Sequence, residues 1–238
     1  MSIADNLALV RDQIESAARR AGRDPDKIEL MAVTKTVPVE RLRAAYSAGI
    51  HLFGENRVQE FDMKTSAVRD LSHVRWHMIG HLQTNKAARA AELFDAIESV
   101  DSLRLAQKLN TVAAQLAKKL PVLIEINIGS EDVKSGVAAD SEELEQLLKF
   151  APSLPHLDFG GLMTVPPYSE DPEPSRPFFR KMRELAENIQ RRRLPGISMN
   201  VLSMGMSHDF EIAIEEGATR VRVGTALFGE RINKRSKA

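Results

Sequence analysis

Residues 28–37 read IELMAVTKTV, and Pro38 follows them. Six of these ten residues are apolar and two are β-branched valines, a composition typical of a buried strand. We expect the strand to end at Lys35 and a helix to begin after Pro38, because proline is favoured in the first turn of a helix. A lysine at the end of a buried strand loses water, so its ammonium needs a partner or releases its proton.

Two roles for Lys35 are compatible with these residues alone. Its side chain can extend past the strand end and keep its charge in water, as most lysines do. Alternatively, its deprotonated amine can form a Schiff base with an aldehyde or a ketone. The rest of the chain has to decide between the two roles.

The composition excludes several classes of protein. The chain has 238 residues, with 33 Lys plus Arg and 33 Asp plus Glu, so no net charge attracts nucleic acid or an anionic membrane. It contains no cysteine, which excludes disulfides, thiolate metal sites and a cysteine nucleophile. The N-terminal MSIADNLALV does not resemble a signal peptide, and no apolar run has membrane-spanning length. We therefore expect a cytoplasmic protein.

Hydrophobic periodicity predicts strands that alternate with helices along the chain. The predicted strands are 28–35, 51–54, 74–79, 94–100, 121–128, 157–163, 197–203 and 220–223. The predicted helices are 3–21, 38–48, 55–68, one from 84, one from 101 or 102, 141–151, 176–192, 208–216 and a short last one after 224–225. Gly22 is expected to end the first helix, which precedes the first strand as an extra N-terminal helix. The basic tail, 231–238, is expected to be loose.

This alternation predicts the fold. Strands joined through helices are parallel and have right-handed crossovers. Eight such units in about 230 residues fit a closed (β/α)8 TIM barrel. We see no domain boundary and predict a single barrel domain over residues 1–238. An open, doubly wound sheet is the alternative, but no G-x-G-x-x-G turn follows the first strand.

Polar side chains follow most of the predicted strands, at the end where barrels of this type have their active face. They are Lys35, Glu55, Asn56, His77, Asn127, Thr164 beside Met163, Ser203, and Arg222 with Gly224 and Thr225 after it. Because the strand middles are mostly apolar, this distribution indicates a pocket.

The loops after the last two strands suit a phosphate. Ser207 is predicted to cap the helix 208–216, and Gly224-Thr225 begins the last helix, where free N–H groups and the helix dipole favour an anion. A plain cap and a plain turn are the alternatives. Arg222 has two possible roles as well. It can form a structural salt bridge to Glu125 or Asp209, or place a fixed positive charge against a ring nitrogen.

The histidines do not indicate a metal. His73, His77 and His81 have helical spacing, but residues 74–79 are predicted to form a strand, which separates the three side chains. Trp76 is expected to pack in the core.

Several motifs resemble the YggS/PROSC family of pyridoxal 5′-phosphate (PLP) homeostasis proteins, and they cover nearly the whole chain. They are AVTKTVP (32–38), FGENRVQE (53–60), WHMIGHLQTNK (76–86), INIGSEDVKSG (126–136), GLMTVPP (161–167) and LSMGMSHDFEIAIEEGATRVRVGTALFG (202–229). The resemblance implies a barrel like the N-terminal domain of alanine racemase, with PLP bound to Lys35 as a Schiff base and Arg222 facing the pyridine nitrogen. The other residues assigned to the cofactor are Ser203, Ser207, Gly224 and Thr225 at the phosphate, and Asn56, His77 and Met204 along the pocket. Lys134 matches a family lysine that is a candidate second attachment point.

The same resemblance leaves a carrier and a catalyst as alternatives. A racemase needs an acid/base on each face of the cofactor, and Lys35 serves one face. In alanine racemase a tyrosine from a separate β-domain serves the other, and we expect no such domain in this chain. Tyr46 is predicted inside a crossover helix and Tyr168 in the proline-rich loop. Arg222 would keep the ring nitrogen unprotonated, which makes a poorer electron sink.

We therefore favour a non-catalytic protein that stores, buffers or delivers PLP. An amino-acid racemase or another PLP enzyme is the alternative, and a Schiff-base aldolase is a third. The expected partners are PLP and apo forms of PLP-dependent enzymes that receive it, with no nucleic acid and no membrane. We expect a monomer, and the sequence leaves the identity of the recipients open.

Overall fold

A closed barrel of parallel strands forms the centre of the protein. The computed structural model describes residues 1–129 and 135–229, and within these residues eight strands close in the order β1 to β8. Each strand pairs in parallel with the next, and β8 pairs with β1. The strands are β1 Glu29–Val33, β2 Leu52–Glu55, β3 Arg75–Met78, β4 Ala96–Val100, β5 Leu120–Glu125, β6 Leu157–Met163, β7 Ile197–Met206 and β8 Arg220–Val223. The predicted (β/α)8 barrel is confirmed.

Helices connect consecutive strands on the outside of the barrel. In the described part of the chain they are α1 Ile3–Arg20, α2 Val39–Ser47, α3 Val58–Lys64, α4 Ala87–Leu93, α5 Leu103–Gln115, α6 Glu142–Phe150, α7 Arg176–Arg191, α8 Phe210–Glu215 and α9 Thr225–Phe228. None of these helices combines the length and the apolar composition that crossing a bilayer requires.

The hydrophobic core lies between the barrel and its helices. The aromatic residues near β2 and β3 illustrate it: the ring centroid of Trp76 is 5.0 Å from that of Phe53 and 4.6 Å from that of Phe61 on α3. Trp76 is 8% exposed and belongs to the core cluster, as the sequence predicted. Burial of such large side chains is the main force that holds the helices on the sheet.

The extra N-terminal helix α1 is confirmed. The hydroxyl of Ser2 accepts from the backbone N–H of Asp5, and the Asp5 carboxylate accepts from the Ser2 N–H, which forms a capping box. Asn6 Nδ2 donates to the carbonyl oxygen of Leu227 at 2.9 Å and so ties α1 to α9. Gly22 follows α1 with a φ of 65°, the left-handed conformation that ends many helices.

Several predicted boundaries need correction. β1 ends at Val33, two residues before Lys35, because the chain turns at 34–36. The helix predicted from residue 55 begins at Val58, since Glu55 is still paired in β2. β5 ends at Glu125 rather than at residue 128, and β7 continues to Met206. The predicted loose tail at 231–238 lies outside the described residues.

Candidate functional site

The parallel strands bring the predicted polar residues to one end of the barrel. Lys35 lies in the turn after β1 and is half-buried. Asn56 follows β2, Asn127 follows β5 and Thr164 follows β6. Because every strand runs in the same direction, these loops surround one mouth at the carboxyl end of the strands.

Two backbone N–H groups converge at this mouth, beside α9. Those of Gly224 and Ala226 both donate to the hydroxyl oxygen of Ser207, at 3.1 and 3.2 Å. Thr225, which lies between them, is exposed. Two amides directed at one oxygen form an arrangement that also suits an oxygen of an anion.

The predicted capping role of Ser207 is wrong in one respect. α8 begins at Phe210, and Asp209 rather than Ser207 occupies its cap position. The Ser207 hydroxyl instead accepts hydrogen bonds from amides at the start of α9, a helix that is near Ser207 in space but not adjacent in sequence. Gly205 allows the end of β7 to pass close to α8, because a Cβ at this position would lie 2.5 Å from the Cβ of Ala213.

Arg222 is fixed under this mouth by neutral acceptors. One terminal nitrogen donates to the carbonyl oxygen of Ser203 at 2.6 Å and to its hydroxyl at 2.8 Å, and the other donates to the carbonyl oxygen of Thr164 at 2.6 Å. These contacts replace the salt bridge to Glu125 or Asp209 that we considered from the sequence. Burial lowers the pKa of Arg222, while the charges of Glu98, Asp209 and Glu125 oppose that effect.

A polar network that the sequence analysis missed lies inside the barrel. Glu98 of β4 accepts from His77 Nδ1 at 2.7 Å, from the hydroxyl of Ser203 at 2.6 Å and from Arg220 at 2.7 Å. The contact with Arg220 crosses the barrel from β4 to β8. Burial alone would raise the pKa of Glu98, but the His77 hydrogen bond and the Arg220 charge hold it at about 2.

Ser203 links this network to Arg222. Its hydroxyl donates to Glu98 and accepts from Arg222, so both of these interactions are already formed within the protein. Through these contacts Ser203 helps to hold Arg222, and its assignment to the phosphate stays a prediction. The repeated Arg-x-Arg of β8 is the sequence signal for two arginines on one face of a strand.

Glu125, at the end of β5, has very different surroundings. It is 8% exposed, and its Oε2 is buried without a hydrogen-bond partner. Burial raises its pKa to about 7, and the charge of Asp101 adds to this effect while Arg222 opposes it. A buried polar atom without a partner near a barrel mouth is a candidate ligand contact.

The turn that carries Lys35 is held by side chains of β2 and α3. Thr34 donates through its hydroxyl to Glu55 at 2.8 Å, and the backbone N–H of Thr36 donates to Glu60 at 2.6 Å. Lys64 donates to the carbonyl oxygen of Thr34 at 3.0 Å. Sequence reasoning identified Glu55 but did not identify Glu60 or Lys64, which meet the turn only in the folded chain.

The remaining predicted site residues differ in their burial and in their hydrogen-bond partners. The Oδ1 of Asn56 is buried without a partner, beside Gly80, where a Cβ would lie 2.3 Å from the Asn56 carbonyl oxygen. His77 is 4% exposed and bound to Glu98, and Met204 is fully buried in the hydrophobic core. Contacts of these three residues with a cofactor remain predictions. Lys134 lies outside the described residues.

The two tyrosines lie in separate places. Tyr46 is on α2, where its hydroxyl lies 3.3 Å from that of Ser72. Tyr168 is 77% exposed in the loop after β6, and its ring centroid lies 5.6 Å from that of His208. Among the described residues, no group of three His, Asp or Glu side chains could hold a metal ion.

Comparison with known proteins gives a consistent result. The model of the alanine racemase N-terminal domain family matches residues 6–232. A pyridoxal phosphate homeostasis protein from Aquifex aeolicus is 46% identical over 231 residues, which cover 97% of this chain and 99% of the relative. This chain belongs to the pyridoxal phosphate homeostasis protein family.

Solved structures support the family assignment. This pyridoxal phosphate homeostasis family member superposes on PipY of Synechococcus elongatus PCC7942, a structure with PLP bound, with a TM-score of 0.84 and 36% identity. The superposition covers 96% of this chain and all of PipY, 100%. An alanine racemase from Streptomyces coelicolor has a TM-score of 0.71 at 20% identity and 59% coverage of its own chain, a likeness of fold alone. The family that the sequence motifs indicated is confirmed.

Proposed function

We propose that this protein binds PLP at the barrel mouth and maintains the intracellular supply of the cofactor. The single observation that carries the proposal is the pair of amides of Gly224 and Ala226 directed at one oxygen position. Family membership and the PLP-bound structure of PipY support it.

The phosphate is assigned to the start of α9. The two amides that donate to Ser207 would hold a phosphate oxygen, and the Ser207 hydroxyl would supply another donor. Thr225, exposed beside them, supplies a further hydroxyl donor. Hydrogen bonds to a charged acceptor contribute about 1.5–3 kcal/mol each, which suits an anchor for a small ligand.

Lys35 is assigned as the covalent anchor. PLP would supply an aldehyde when bound, and the amine of Lys35 would hold it covalently, with loss of one water. Lys35 fits this role because it lies half-buried at the same mouth as the amide pair, in a turn with several backbone contacts.

Arg222 is assigned to the ring nitrogen. Its guanidinium is held by Ser203 and Thr164 and keeps its charge, so it donates a hydrogen bond and cannot accept a proton. A ring nitrogen opposite it would stay unprotonated and would withdraw electrons less strongly than a protonated one.

These assignments favour a carrier over a racemase. A racemase needs a second acid/base opposite Lys35. Tyr46 is engaged on an outer helix, and Tyr168 is exposed beside His208 at the rim. The likeness to alanine racemases extends to the fold alone, so it adds no support for their activity.

Titration of the apo protein with PLP and with pyridoxal tests the proposal. We expect PLP to bind much more tightly, since pyridoxal lacks the phosphate, and Ser207→Ala to weaken PLP binding by about 1.5–3 kcal/mol. Ser153→Ala is the matched control, because Ser153 is exposed and bonded to the carbonyl of Phe150. Equal affinity for PLP and pyridoxal would contradict the phosphate assignment.

A second assay separates the carrier from a racemase. The PLP-loaded protein is incubated with single enantiomers of common amino acids in deuterated water, and α-proton exchange is followed. A carrier should show exchange far below the typical enzyme rate of about 1–1000 per second, and should restore activity to an apo PLP-dependent enzyme. Rapid exchange that is lost in Lys35→Ala would favour the racemase instead.

A further inference from the structure

Lys64, at the end of α3, contacts the turn that carries Lys35. Its ammonium donates to the carbonyl oxygen of Thr34 at 3.0 Å, to Glu55 Oε1 at 3.1 Å and to Glu60 Oε1 at 2.7 Å. The side chain is only 13% exposed. Three acceptors match the three hydrogens of an ammonium, so this lysine acts as a structural cation rather than as a nucleophile.

The turn requires such support because its backbone is strained. Thr36 has a φ of 62°, a conformation that is a genuine outlier for a β-branched residue. Its N–H donates at 2.6 Å to Glu60 Oε1, the same oxygen that accepts from Lys64. Strained residues persist only where the surroundings fix them, and they are common at functional sites.

Glu55 holds the other side of the turn. It is completely buried and accepts from the Thr34 hydroxyl at 2.8 Å. Burial raises the pKa of Glu55, and the charge of Lys64 acts against this effect. Loss of Lys64 would therefore disturb the carbonyl of Thr34, the carboxylate that binds its hydroxyl, and the carboxylate that binds the Thr36 amide.

We propose that Lys64 is a positioning residue for Lys35. Together with Glu55 and Glu60 it holds the backbone on both sides of Lys35 in one conformation and so fixes the point from which the Lys35 side chain leaves the backbone. The role assigned to Lys35 rests on the proposed function, whereas the immobilisation of the turn does not.

Two measurements on Lys64→Met test this role. In the absence of cofactor, hydrogen–deuterium exchange of residues 34–37 should become roughly 10-fold faster or more, because the local opening free energy falls. The dissociation constant for PLP should rise by roughly 10- to 100-fold, the factor that corresponds to one hydrogen bond of a charged group. Lys64→Arg should restore most of the affinity, since a guanidinium can bind both carboxylates.

Lys119→Met is the matched control. Lys119 is an exposed lysine before β5, at the opposite end of the barrel, and its ammonium is 3.7 Å from Asp158. Both measurements should be unchanged in this variant. If Lys64→Met does not fold, Glu60→Gln takes its place, because it removes the charge from the carboxylate that binds both Thr36 and Lys64. Amide exchange and the dissociation constant for PLP should then change in the same directions, but by smaller factors.

The outcomes separate the positioning role from the proposed function. Unchanged exchange and unchanged affinity in Lys64→Met or Glu60→Gln would overturn the positioning role. A lower melting temperature with unchanged PLP affinity would also overturn it, because it would mean a purely structural contribution. If the wild-type protein does not attach PLP through Lys35, the proposed function fails, and the exchange measurement still tests whether Lys64 immobilises the turn.

Discussion

Glu98 and Glu125 are buried glutamates on neighbouring strands, but their surroundings are opposite. Glu98 accepts from His77, Ser203 and Arg220, and its pKa is held at about 2. Glu125 has one oxygen without a partner and a pKa raised by burial to about 7. Both carboxylate oxygens of Glu98 have hydrogen-bond partners inside the barrel, whereas one oxygen of Glu125 has none near the mouth, where we place the cofactor. We therefore expect Glu98 to contribute to stability and Glu125 to respond to a ligand bound at the mouth.

The largest effect expected from this comparison is the loss of stability when Glu98 loses its charge. Arg220 keeps its salt bridge to Glu29 in Glu98→Gln, but the substitution removes the charged acceptor that Arg220, His77 and Ser203 share. Loss of the charge at this fully buried position should cost about 3–5 kcal/mol. Urea denaturation should show this loss, whereas Glu184→Gln, at an exposed position on α7, should change little. A loss below about 1 kcal/mol for Glu98→Gln would contradict the importance of this buried charge.

The substitution Glu125→Gln should raise the free energy of unfolding, whereas Glu98→Gln lowers it, and the size of the increase should depend on pH. The folded pKa of about 7 is above the unfolded value, so the unfolded state releases its proton first as the pH rises. Wild-type stability should therefore fall between about pH 4.5 and pH 7 through this group, by about 3 kcal/mol. Glu125→Gln should be more stable than wild type at about pH 8 and similar at about pH 4. A difference in the free energy of unfolding between wild type and Glu125→Gln that does not change with pH would contradict the raised pKa of Glu125.

Replacement of Ser203 tests the link between the interior network and Arg222. Ser203→Ala removes an acceptor from Arg222 and a donor from Glu98, which should cost about 1–3 kcal/mol of stability and weaken PLP binding. Ser99→Ala is a matched control on β4, because the Ser99 hydroxyl is buried without a partner. If both variants were equally stable, the hydrogen bonds of Ser203 would have no role in holding Arg222.

The smallest effect expected is a change in proton uptake. A phosphate bound at the mouth brings negative charge towards Glu125, which should raise the pKa of Glu125 further. The protein should therefore take up part of one proton when it binds PLP near neutral pH. Calorimetry in buffers of different ionisation enthalpy measures this uptake. Wild type should take up more protons on binding PLP than Glu125→Gln does. Equal uptake would mean that Glu125 lies outside the reach of the bound anion.

The fold was predictable because its signal is local and repeated. Apolar strands alternate with helices along the whole chain, and eight repeats fit a barrel. The contact between Glu98 and Arg220 was not predictable, since the AIESV of β4 reads as an ordinary buried strand. Only closure of the barrel brings β4 and β8 across from each other.

The same limit applies to the candidate site. The sequence predicted that Lys35, Arg222 and Gly224 lie at one end of the barrel, because strand ends converge there in a parallel barrel. The role of Ser207 was misassigned from the helix that follows it in sequence, whereas its hydroxyl meets the amides of a different helix. Lys64 was missed because it reaches the Lys35 turn across 30 residues of sequence.

Covalent trapping tests the central proposal most directly, which is that Lys35 carries PLP. The PLP-loaded protein is reduced with borohydride, digested and mapped by mass spectrometry, with Lys35→Ala as the control. We expect about one pyridoxyl group per chain on the peptide that contains Lys35, and the loss of the visible absorption band in Lys35→Ala. Label on another lysine with Lys35 unmodified, or a full absorption band in Lys35→Ala, would contradict the account.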